Sequence, residues 1–359
     1  MQKAYLTLAD GCVYTGYAFG YQAEAEGEIV FTTSAIGYLE TITDPSYYGQ
    51  IVVQAFPLVG NCGFITEDLQ TNSPKLSAYI VRDLCTVPSN FRTEGTLDEF
   101  LKNSKIPGIY GIDTRSLIRH VRDAGTMGAK ITYEAPDVDA ILPTIKNYAV
   151  KNAVLSVSRC ERETIALKDA KYRVAVWDFG SVGKVADLLS KKGCEVTLFP
   201  ANSKAEDILS TSPDGIVLTD GPGDPAENVS IIKELSEILD KKLPVFGFGL
   251  GHQLVALARG GKTDKLKYGH RGANQPVSRE EDGRVFSTSQ NHGYVVLPDT
   301  LPSCAKVTYR NINDNTCEGV EYTCMPTFTV QFIPSECDGP QNTGYLYDKF
   351  IEMMEGGKN

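Results

Sequence analysis

Residues 245–257 read VFGFGLGHQLVAL, and this stretch decides the fold of the second half of the chain. It passes from apolar residues of strand type through three alternating glycines into the apolar spacing of a helix, which predicts a strand, a sharp turn and a helix. In hydrolases such a turn lifts one side chain above the sheet, beside helix N–H groups that can stabilise an oxyanion. The middle position here is Gly249, which has no side chain. A tight connection or a phosphate cradle explains these glycines equally well.

Short apolar strands and helices alternate on the N-terminal side of this turn. Strands are predicted over 174–177, 195–198, 216–219 and 244–248, and helices over 185–192 and 231–239. Continuous apolar strands separated by amphipathic helices predict a doubly wound α/β domain with a parallel sheet covered on both faces. Ligands of such sheets bind at the carboxyl ends of the strands.

The first half has a different, mixed α and β pattern. A hairpin is predicted from strands at 5–8 and 12–14 around Asp10-Gly11, with further strands at 28–32 and 51–56 and a helix at 113–122. The apolar density falls over 151–171, where charged residues accumulate. We therefore predict one domain over 1–150, a linker over 151–171 and a second domain over 172–359.

Composition excludes several classes of function. Of 359 residues, 42% are hydrophobic and 22% charged, which is typical of a globular protein, and a net charge of −10 disfavours nucleic acid as a partner. The sequence contains neither a signal-peptide pattern nor an apolar run long enough to span a membrane, so we expect a cytoplasmic protein without a membrane partner.

The nine cysteines are interpreted as reduced thiols, because their number is odd and no Cys-x-x-Cys pair occurs. A zinc site built from Cys317, Cys324 and Cys337 is the alternative. The spacings are too loose for a zinc knuckle and no histidine is near, so no metal site is predicted.

Several further segments are similar to one family. They are 27–31 (GEIVF), 37–38, 43–47 (TDPSY) and 112–115 (IDTR) in the first half, and 220–225 (DGPGDP), 269–277 (GHRGANQPV) and 289–294 (SQNHGY) in the second. In this order and spacing they resemble the small, glutamine amidotransferase subunit of carbamoyl phosphate synthetase over nearly the whole chain. The resemblance implies an N-terminal mixed β/α domain of the swivelling type, followed by a class I glutamine amidotransferase domain.

The resemblance also implies a chemistry whose residues are missing here. Family members hydrolyse glutamine with a Cys, His and Glu triad, and the ammonia passes through a tunnel to a large subunit that makes carbamoyl phosphate from bicarbonate and ATP. The nucleophile position falls on Gly249, the general base on Ile333 and its orienting carboxylate on Ser335. Acyl transfer needs a thiolate, an imidazole and a carboxylate, and loss of the nucleophile alone abolishes most turnover. We therefore predict that the chain lacks glutaminase activity.

The family's glutamine contacts are carried over by resemblance onto eight residues: Ser46, Gly221, Gly223, Leu250, Gln253, Asn291, Gly293 and Tyr294. Tyr294 replaces a usual phenylalanine. Most of these positions are small residues or backbone contacts, so a preserved glutamine pocket and merely preserved turns explain them equally well.

Three hypotheses follow. The first is a non-hydrolysing small subunit that docks on a synthetase large subunit using free ammonia; the chain itself then needs no cofactor, because ATP would bind the large subunit. The second is a glutamine-binding sensor or regulator without a synthetase partner. The third is an active glutaminase with an unorthodox nucleophile, for which Glu336, Cys337 and His252 are the candidate residues.

The backbone at Gly249 should also be unusual. Nucleophile turns hold their central residue in a strained region of φ and ψ, and glycine relieves most of the strain. We therefore expect Gly249→Cys to lower the melting temperature, or leave it unchanged, without restoring activity.

Overall fold

The computed structural model describes residues 1–182, 184–334 and 342–356. The chain divides into two units, Met1–Lys151 and Asn152–Asn359. The strands of the first unit are β1 (Lys3–Leu8), β2 (Val13–Gly20), β3 (Ala25–Thr32), β4 (Gln50–Gln54), β5 (Leu58–Val59), β6 (Ala78–Ile80), β7 (Asp83–Leu84), β8 (Pro107–Tyr110) and β9 (Met127–Thr132). Its α-helices are α1 (Tyr38–Thr43), α2 (Leu97–Asn103), α3 (Thr114–Ala124) and α4 (Val138–Ile145).

The predicted N-terminal hairpin is confirmed. β1 pairs antiparallel with β2, and Gly11 in the turn between them has a φ of +90°. Seven strands then close into a barrel in the order β1-β2-β8-β6-β4-β3-β9. Alternate residues of the strands point to opposite faces, so that Ile29 and Ile51 enter one apolar cluster while Val30 and Val52 enter another.

The helix predicted over 113–122 is confirmed as α3. Asp113 caps it by accepting a hydrogen bond from the Ser116 N–H at 3.0 Å. Leu117 and Val121 are fully buried in the cluster that contains Ile29, whereas the arginines of α3 are exposed. The apolar face of α3 therefore holds it on the barrel, and the opposite face is left to solvent.

The second unit consists of a sheet with helices. Its strands are β10 (Glu163–Ile165), β11 (Tyr172–Asp178), β12 (Cys194–Pro200), β13 (Gly215–Leu218), β14 (Val245–Phe248), β15 (Lys262–Arg279), β16 (Val285–Leu297), β17 (Ala305–Asn311), β18 (Cys317–Tyr322) and β19 (Thr327–Val330). Its α-helices are α5 (Ala153–Val157), α6 (Val185–Lys191), α7 (Ala205–Ser210), α8 (Val229–Leu239), α9 (Leu250–Ala258) and α10 (Tyr345–Gly356).

The predicted doubly wound sheet is confirmed, with an antiparallel extension that the sequence did not indicate. Strands β12, β11, β13, β14 and β19 are parallel neighbours in that order. Side chains of α6 and α10 pack in the apolar cluster on one face, and side chains of α7, α8 and α9 pack in the cluster on the other. Beyond β19 the sheet continues with β18, β16, β15 and β17, all antiparallel to their neighbours.

The segment predicted as a linker, 151–171, carries regular structure. From Asn152 onward it belongs to the second unit, where α5 lies and where β10 pairs antiparallel with β12. Val154 is buried beside Trp177 in the second unit's core. The low apolar density of this segment is explained by β10, which is an edge strand with one side exposed.

The interpretation of all nine cysteines as reduced thiols is wrong for two of them. Cys304 and Cys324 form a disulfide, with their Cα atoms 5.7 Å apart. Pairing of β17 with β18 brings them together, and the Thr323 N–H donates to the Cys304 carbonyl at 2.8 Å. Of the three cysteines in the alternative zinc site, Cys324 is therefore bonded to Cys304, Cys317 is buried, and Cys337 lies outside the described residues.

Among the described residues, no helix combines the length and the apolarity needed to cross a membrane.

Candidate functional site

Three neighbouring parallel strands end at the same edge of the sheet and place the candidate site there. β13 pairs with β14, and β14 pairs with β19 up to the partners Phe248 and Val330. The residues that follow these strands are 219–223, 249–250 and 331–333. This edge therefore brings together the glycine turn, the DGPGDP segment and the position predicted for the general base, at the carboxyl ends where such sheets bind ligands.

Gly249 occupies a backbone region that side-chain-bearing residues avoid. Its φ is +54° and its ψ is −117°, and its N–H donates to the Val330 carbonyl at 3.0 Å. Helix α9 begins at the next residue, Leu250. The predicted strand, sharp turn and helix are confirmed, and the turn has a backbone conformation that would be strained for a residue with a side chain.

The side chain of Asp220 fills the space above this turn. Its Oδ1 accepts hydrogen bonds from the backbone N–H of Gly221 and of Leu250, both at 2.8 Å. A Cβ built on Gly249 would lie 2.1 Å from that oxygen and 2.2 Å from Cγ, far inside van der Waals contact. Asp220 is only 3% exposed.

Two converging backbone N–H groups are the arrangement that stabilises the oxyanion of an acyl-transfer intermediate. Here both donate to a carboxylate of the protein itself. Sequence reasoning quoted Asp220 only as part of a family segment and assigned it no role. The available signal was an acidic residue directly before a glycine at the end of an apolar strand.

The position predicted for the general base carries an aliphatic side chain. The N–H of Ile333 donates to the Ser289 carbonyl at 3.0 Å, which extends the sheet by one bridge beyond β19. Ser335, Glu336 and Cys337 lie outside the described residues.

His252, the candidate substitute base, is committed to the core. It is fully buried on α9, and its Nδ1 contacts Thr329 Oγ1 at 2.7 Å. Its Nε2 has no hydrogen-bond partner in the part of the chain that the structure describes. Burial lowers the pKa of His252 to about 3, so the imidazole is neutral and a very weak base near pH 7.

The buried thiols of the second unit are unsuited to nucleophilic attack. Cys194 and Cys317 lie in the two apolar clusters of the sheet. Burial raises the pKa of Cys194 to about 11 and that of Cys317 to about 12, so both remain protonated near pH 7.

Four of the predicted glutamine contacts lie in the segments that follow β13 and β14: Gly221, Gly223, Leu250 and Gln253. A Cβ on Gly221 would lie 2.4 Å from the Phe179 carbonyl oxygen, and Gly223 has a φ of +90°, so both positions require glycine for local geometry. Gln253 is held across the site, because its Nε2 donates to the Tyr294 carbonyl at 2.8 Å and to Gln331 Oε1 at 2.9 Å.

The other predicted contacts divide between the units. Asn291, Gly293 and Tyr294 lie on β16, where Asn291 is buried and the Tyr294 ring is half-buried with the Lys265 ammonium 6.0 Å from its centroid. Ser46 lies in the first unit, where its N–H donates to Asp44 Oδ1 at 2.9 Å. The structure therefore joins Gln253 directly to Tyr294, whereas Ser46 belongs to the first unit.

A buried polar network lies on the antiparallel strands, and sequence reasoning missed it. His270 Nε2 is 2.8 Å from Asp314 Oδ2, and its Nδ1 is 3.4 Å from Glu318 Oε1. Burial would lower the pKa of His270, but the hydrogen bonds and charges of the two carboxylates outweigh burial and raise it to about 9. His270 is therefore a buried cation at neutral pH.

A second histidine continues this network towards Tyr294. His292 Nδ1 donates to the Tyr294 carbonyl at 2.8 Å, and its Nε2 is 3.0 Å from Gln290 Oε1. Gln290 Nε2 in turn donates to Glu318 Oε2 at 2.9 Å. Burial lowers the pKa of His292 well below its usual value, with a further contribution from the charge on His270.

Two groups of side chains in the described ranges could bring three ligand atoms to a metal ion. They are Asp10, Cys12 and His120 in the first unit, and His270, His292 and Glu318 in the second. In the second group the ring nitrogens already face protein partners. In the first, His120 Nε2 contacts Asp10 Oδ2 at 2.5 Å and its Nδ1 contacts the Tyr14 hydroxyl at 3.0 Å. The side chains of both groups therefore take part in hydrogen bonds within the protein.

Comparison with known proteins identifies the family. The model for the carbamoyl-phosphate synthase small chain, CPSase domain, matches residues 6–131, and the model for class-I glutamine amidotransferase matches residues 175–353. The carbamoyl phosphate synthase small chain of Syntrophotalea carbinolica is 42% identical over 374 residues, which cover 98% of each chain. This chain belongs to the carbamoyl phosphate synthase small chain family.

A second member of the family and one solved structure are also similar to this chain. The small chain of Clostridium perfringens is 43% identical over 350 residues, covering 98% of this chain and 99% of the relative. A crystal structure of a glutamine amidotransferase from Thermotoga maritima covers 54% of this chain and 86% of its own, with 19% identity and a TM-score of 0.40. The resemblance stated from the sequence and the predicted two-part fold of the carbamoyl phosphate synthase small chain family are confirmed.

Proposed function

We propose that this member of the family is a small subunit that does not hydrolyse glutamine. The observation that carries the proposal is the contact of Asp220 with the glycine turn. Formation of a thioester requires a thiol at position 249 and two free N–H donors for the oxyanion. Position 249 carries no side chain, and Asp220 Oδ1 holds the N–H groups of Gly221 and Leu250.

The remaining groups support the same proposal. Ile333 cannot accept a proton, and the imidazole of His252 is a very weak base that contacts Thr329. The sequence places serine at the third position of the triad, Ser335. A nucleophile and a base are both required for turnover, so the loss of either one is enough to abolish most of the activity.

The proposed role is to bind a synthetase large subunit in the cytoplasm and to support carbamoyl phosphate synthesis from free ammonia. The relatives at 42% and 43% identity are named small chains, a name that fits a chain working with a larger one. Bicarbonate and ATP would react on the large subunit, so this chain would contribute structural or allosteric support without a cofactor of its own.

The test is a synthesis assay on the reconstituted complex. The full chain is mixed with the large subunit from its own source, and carbamoyl phosphate is measured with glutamine or with ammonium as the nitrogen donor. The matched control is a family member that carries the Cys, His and Glu, assayed with its own large subunit. We expect ammonium-dependent synthesis only, with no ammonia release from glutamine above the protein-free rate.

Each other outcome selects a different function. Ammonia release with a trapped acyl-enzyme would refute the proposal in favour of an unorthodox glutaminase. Saturable glutamine binding by a chain that does not bind the large subunit would refute it in favour of a glutamine sensor or regulator.

A further inference from the structure

An arginine-lined groove lies on the first unit, away from the glycine turn in the sequence and outside the chemistry discussed so far. Its volume is about 670 Å³. We call it the arginine groove and define it by its lining residues: Ala55, Pro57, Arg82, Thr114, Arg115, Ile118, Arg119 and Arg122. Half of these residues are arginines and none is acidic, in a chain whose net charge is −10.

Three of the four arginines come from a single helix face. Arg115, Arg119 and Arg122 are spaced by four and three residues on α3, so they lie on one side of the helix, and all three are exposed. Arg82 comes from the segment between β6 and β7 and is also exposed. Asp113 and Asp123 line the adjoining pocket beside Arg115 and Arg119, so the excess of positive charge is confined to the groove itself.

The arginines are available to an external anion. Arg82 and Arg122 form ion pairs with their sequence neighbours, Asp83 at 3.8 Å and Asp123 at 3.1 Å, and such exposed pairs contribute little to stability. Within the described ranges, no ion pair or hydrogen bond engages the guanidinium of Arg115 or Arg119.

Helix stability does not explain the position of Arg115. Arg115 lies in the first turn of α3, where the helix dipole disfavours a positive charge. The cap from Asp113 and the burial of Leu117 and Val121 hold the helix without the arginines. A positive charge that destabilises the helix and faces solvent is expected where that charge takes part in binding.

Exposed apolar residues that neighbour the lining residues in the chain favour a protein partner over a small anion. Phe56 is 42% exposed and Leu58 44% exposed, and they alternate along the chain with the lining residues Ala55 and Pro57. Arginine together with exposed aromatic and aliphatic side chains is the composition of a protein–protein interface. A phosphate or carboxylate ion would need the guanidinium groups but not Phe56 or Leu58.

We infer that the arginine groove docks an acidic segment of the synthetase large subunit. This inference rests on the proposed function, because it names the surface through which the small subunit would bind its partner. Guanidinium groups pair with carboxylates in a bidentate geometry, so Asp or Glu side chains of the partner would sit over Arg115 and Arg119, with apolar neighbours against Phe56 and Leu58. The local charge would also steer a segment that the net charge of −10 otherwise repels.

The test compares two pairs of charge reversals in the full chain. The groove variant is Arg115→Glu with Arg119→Glu; the control is Lys233→Glu with Lys241→Glu, two positions in the second unit that change the net charge by the same amount. Affinity for the large subunit is measured at about 50 mM and about 200 mM salt, where exposed charges are screened to different extents. Melting temperatures of all proteins are recorded to show that they fold.

We expect the groove variant to lose at least about tenfold in affinity at low salt, as for the loss of well-placed interfacial charge pairs, and the control less than about threefold. Arg115→Lys with Arg119→Lys keeps the charge without the bidentate geometry and should give an intermediate loss. The salt dependence of binding should be weaker for the groove variant than for the unmodified chain.

The outcomes separate the inference from the proposed function. If the unmodified chain binds the large subunit and the groove variant binds equally well, the inference is overturned and the proposed function stands. If inorganic phosphate binds the groove while the charge reversals leave partner affinity unchanged, the groove is a small-anion site instead. If the unmodified chain does not bind the large subunit, both the proposed function and the inference fail.

Discussion

Replacing Gly249 with cysteine introduces the thiol that the family resemblance predicts at this position and tests the role of Asp220. In the present backbone the new Cβ would lie 2.1 Å from Asp220 Oδ1, so the carboxylate must leave its position. Its departure breaks the hydrogen bonds from the Gly221 and Leu250 N–H groups, both of 2.8 Å. The substituted residue must also adopt a φ near +54°, which favours glycine.

These losses set the size of the effect. Two buried hydrogen bonds to a carboxylate contribute about 1.5 kcal/mol or more each, and the backbone strain adds about 1 kcal/mol, giving a destabilisation of about 4 kcal/mol. In a domain of this size, 1 kcal/mol shifts the melting temperature by about 2 to 4 °C, so a decrease of about 10 °C is expected.

The assay is thermal unfolding followed by circular dichroism, together with ammonia release from glutamine. We expect a lower melting temperature and no turnover, because Ile333 and Ser335 still supply neither base nor carboxylate. A clear rise in the melting temperature, or turnover well above the protein-free rate, would refute the reasoning.

A double-mutant cycle isolates the contact between the two positions. Asp220→Ala alone should destabilise the chain by about 1 to 3 kcal/mol, because it leaves buried N–H groups unpaired. In the double variant the cysteine no longer meets the carboxylate, so its destabilisation should be smaller than the sum of the two single effects by at least about 1 kcal/mol. Strict additivity would show that the steric contact with Asp220 does not determine the cost at Gly249.

Three further variants test other parts of the structure. The folded state raises the pKa of His270 from 6.5 to about 9. The protonated His270 therefore stabilises the folded state fully below pH 6.5, and this stabilisation is lost as the pH rises through 9. Urea unfolding should therefore show that the stability gap between the unmodified chain and His270→Gln shrinks by about 3 kcal/mol between pH 6 and pH 10, whereas parallel profiles would contradict the pairing. Gly221→Ala places a Cβ 2.4 Å from the Phe179 carbonyl and should destabilise by about 2 kcal/mol, against little change for Gly356→Ala, which has open space; equal melting temperatures would contradict this. Thr96→Ala removes the capping box of α2 and should lower the free energy of chemical unfolding by about 1 kcal/mol, while Thr96→Ser should keep most of the stability. An equal loss of stability in both variants would argue against the cap.

Much of the second unit could be predicted because its pattern is local. Apolar strands followed by amphipathic helices specify a covered parallel sheet, and the alternating glycines at 247, 249 and 251 specify the sharp turn. The antiparallel extension was not predicted, because β15 to β18 alternate polar and apolar residues irregularly across two bulged pairings.

The candidate site was predictable only in part. The absence of a thiol at Gly249 and of an imidazole at Ile333 follows directly from the sequence, since the chemical groups of a residue do not depend on the fold. The network around His270 was not predictable, because its partners Asp314 and Glu318 lie more than forty positions away in the chain.

By itself, the sequence determined the strand-turn-helix unit, the class of the sheet and the lack of a side chain at position 249, because each depends on the spacing or identity of residues close together in the chain. The tertiary structure alone decided that Asp220 lies on the N–H groups of Gly221 and Leu250, that Cys304 bonds to Cys324, and that α3 and the segment before β7 together form the arginine groove. Such contacts join residues whose separation is set by strand order and register, and no local pattern records which distant side chains the sheet will bring within a few ångströms.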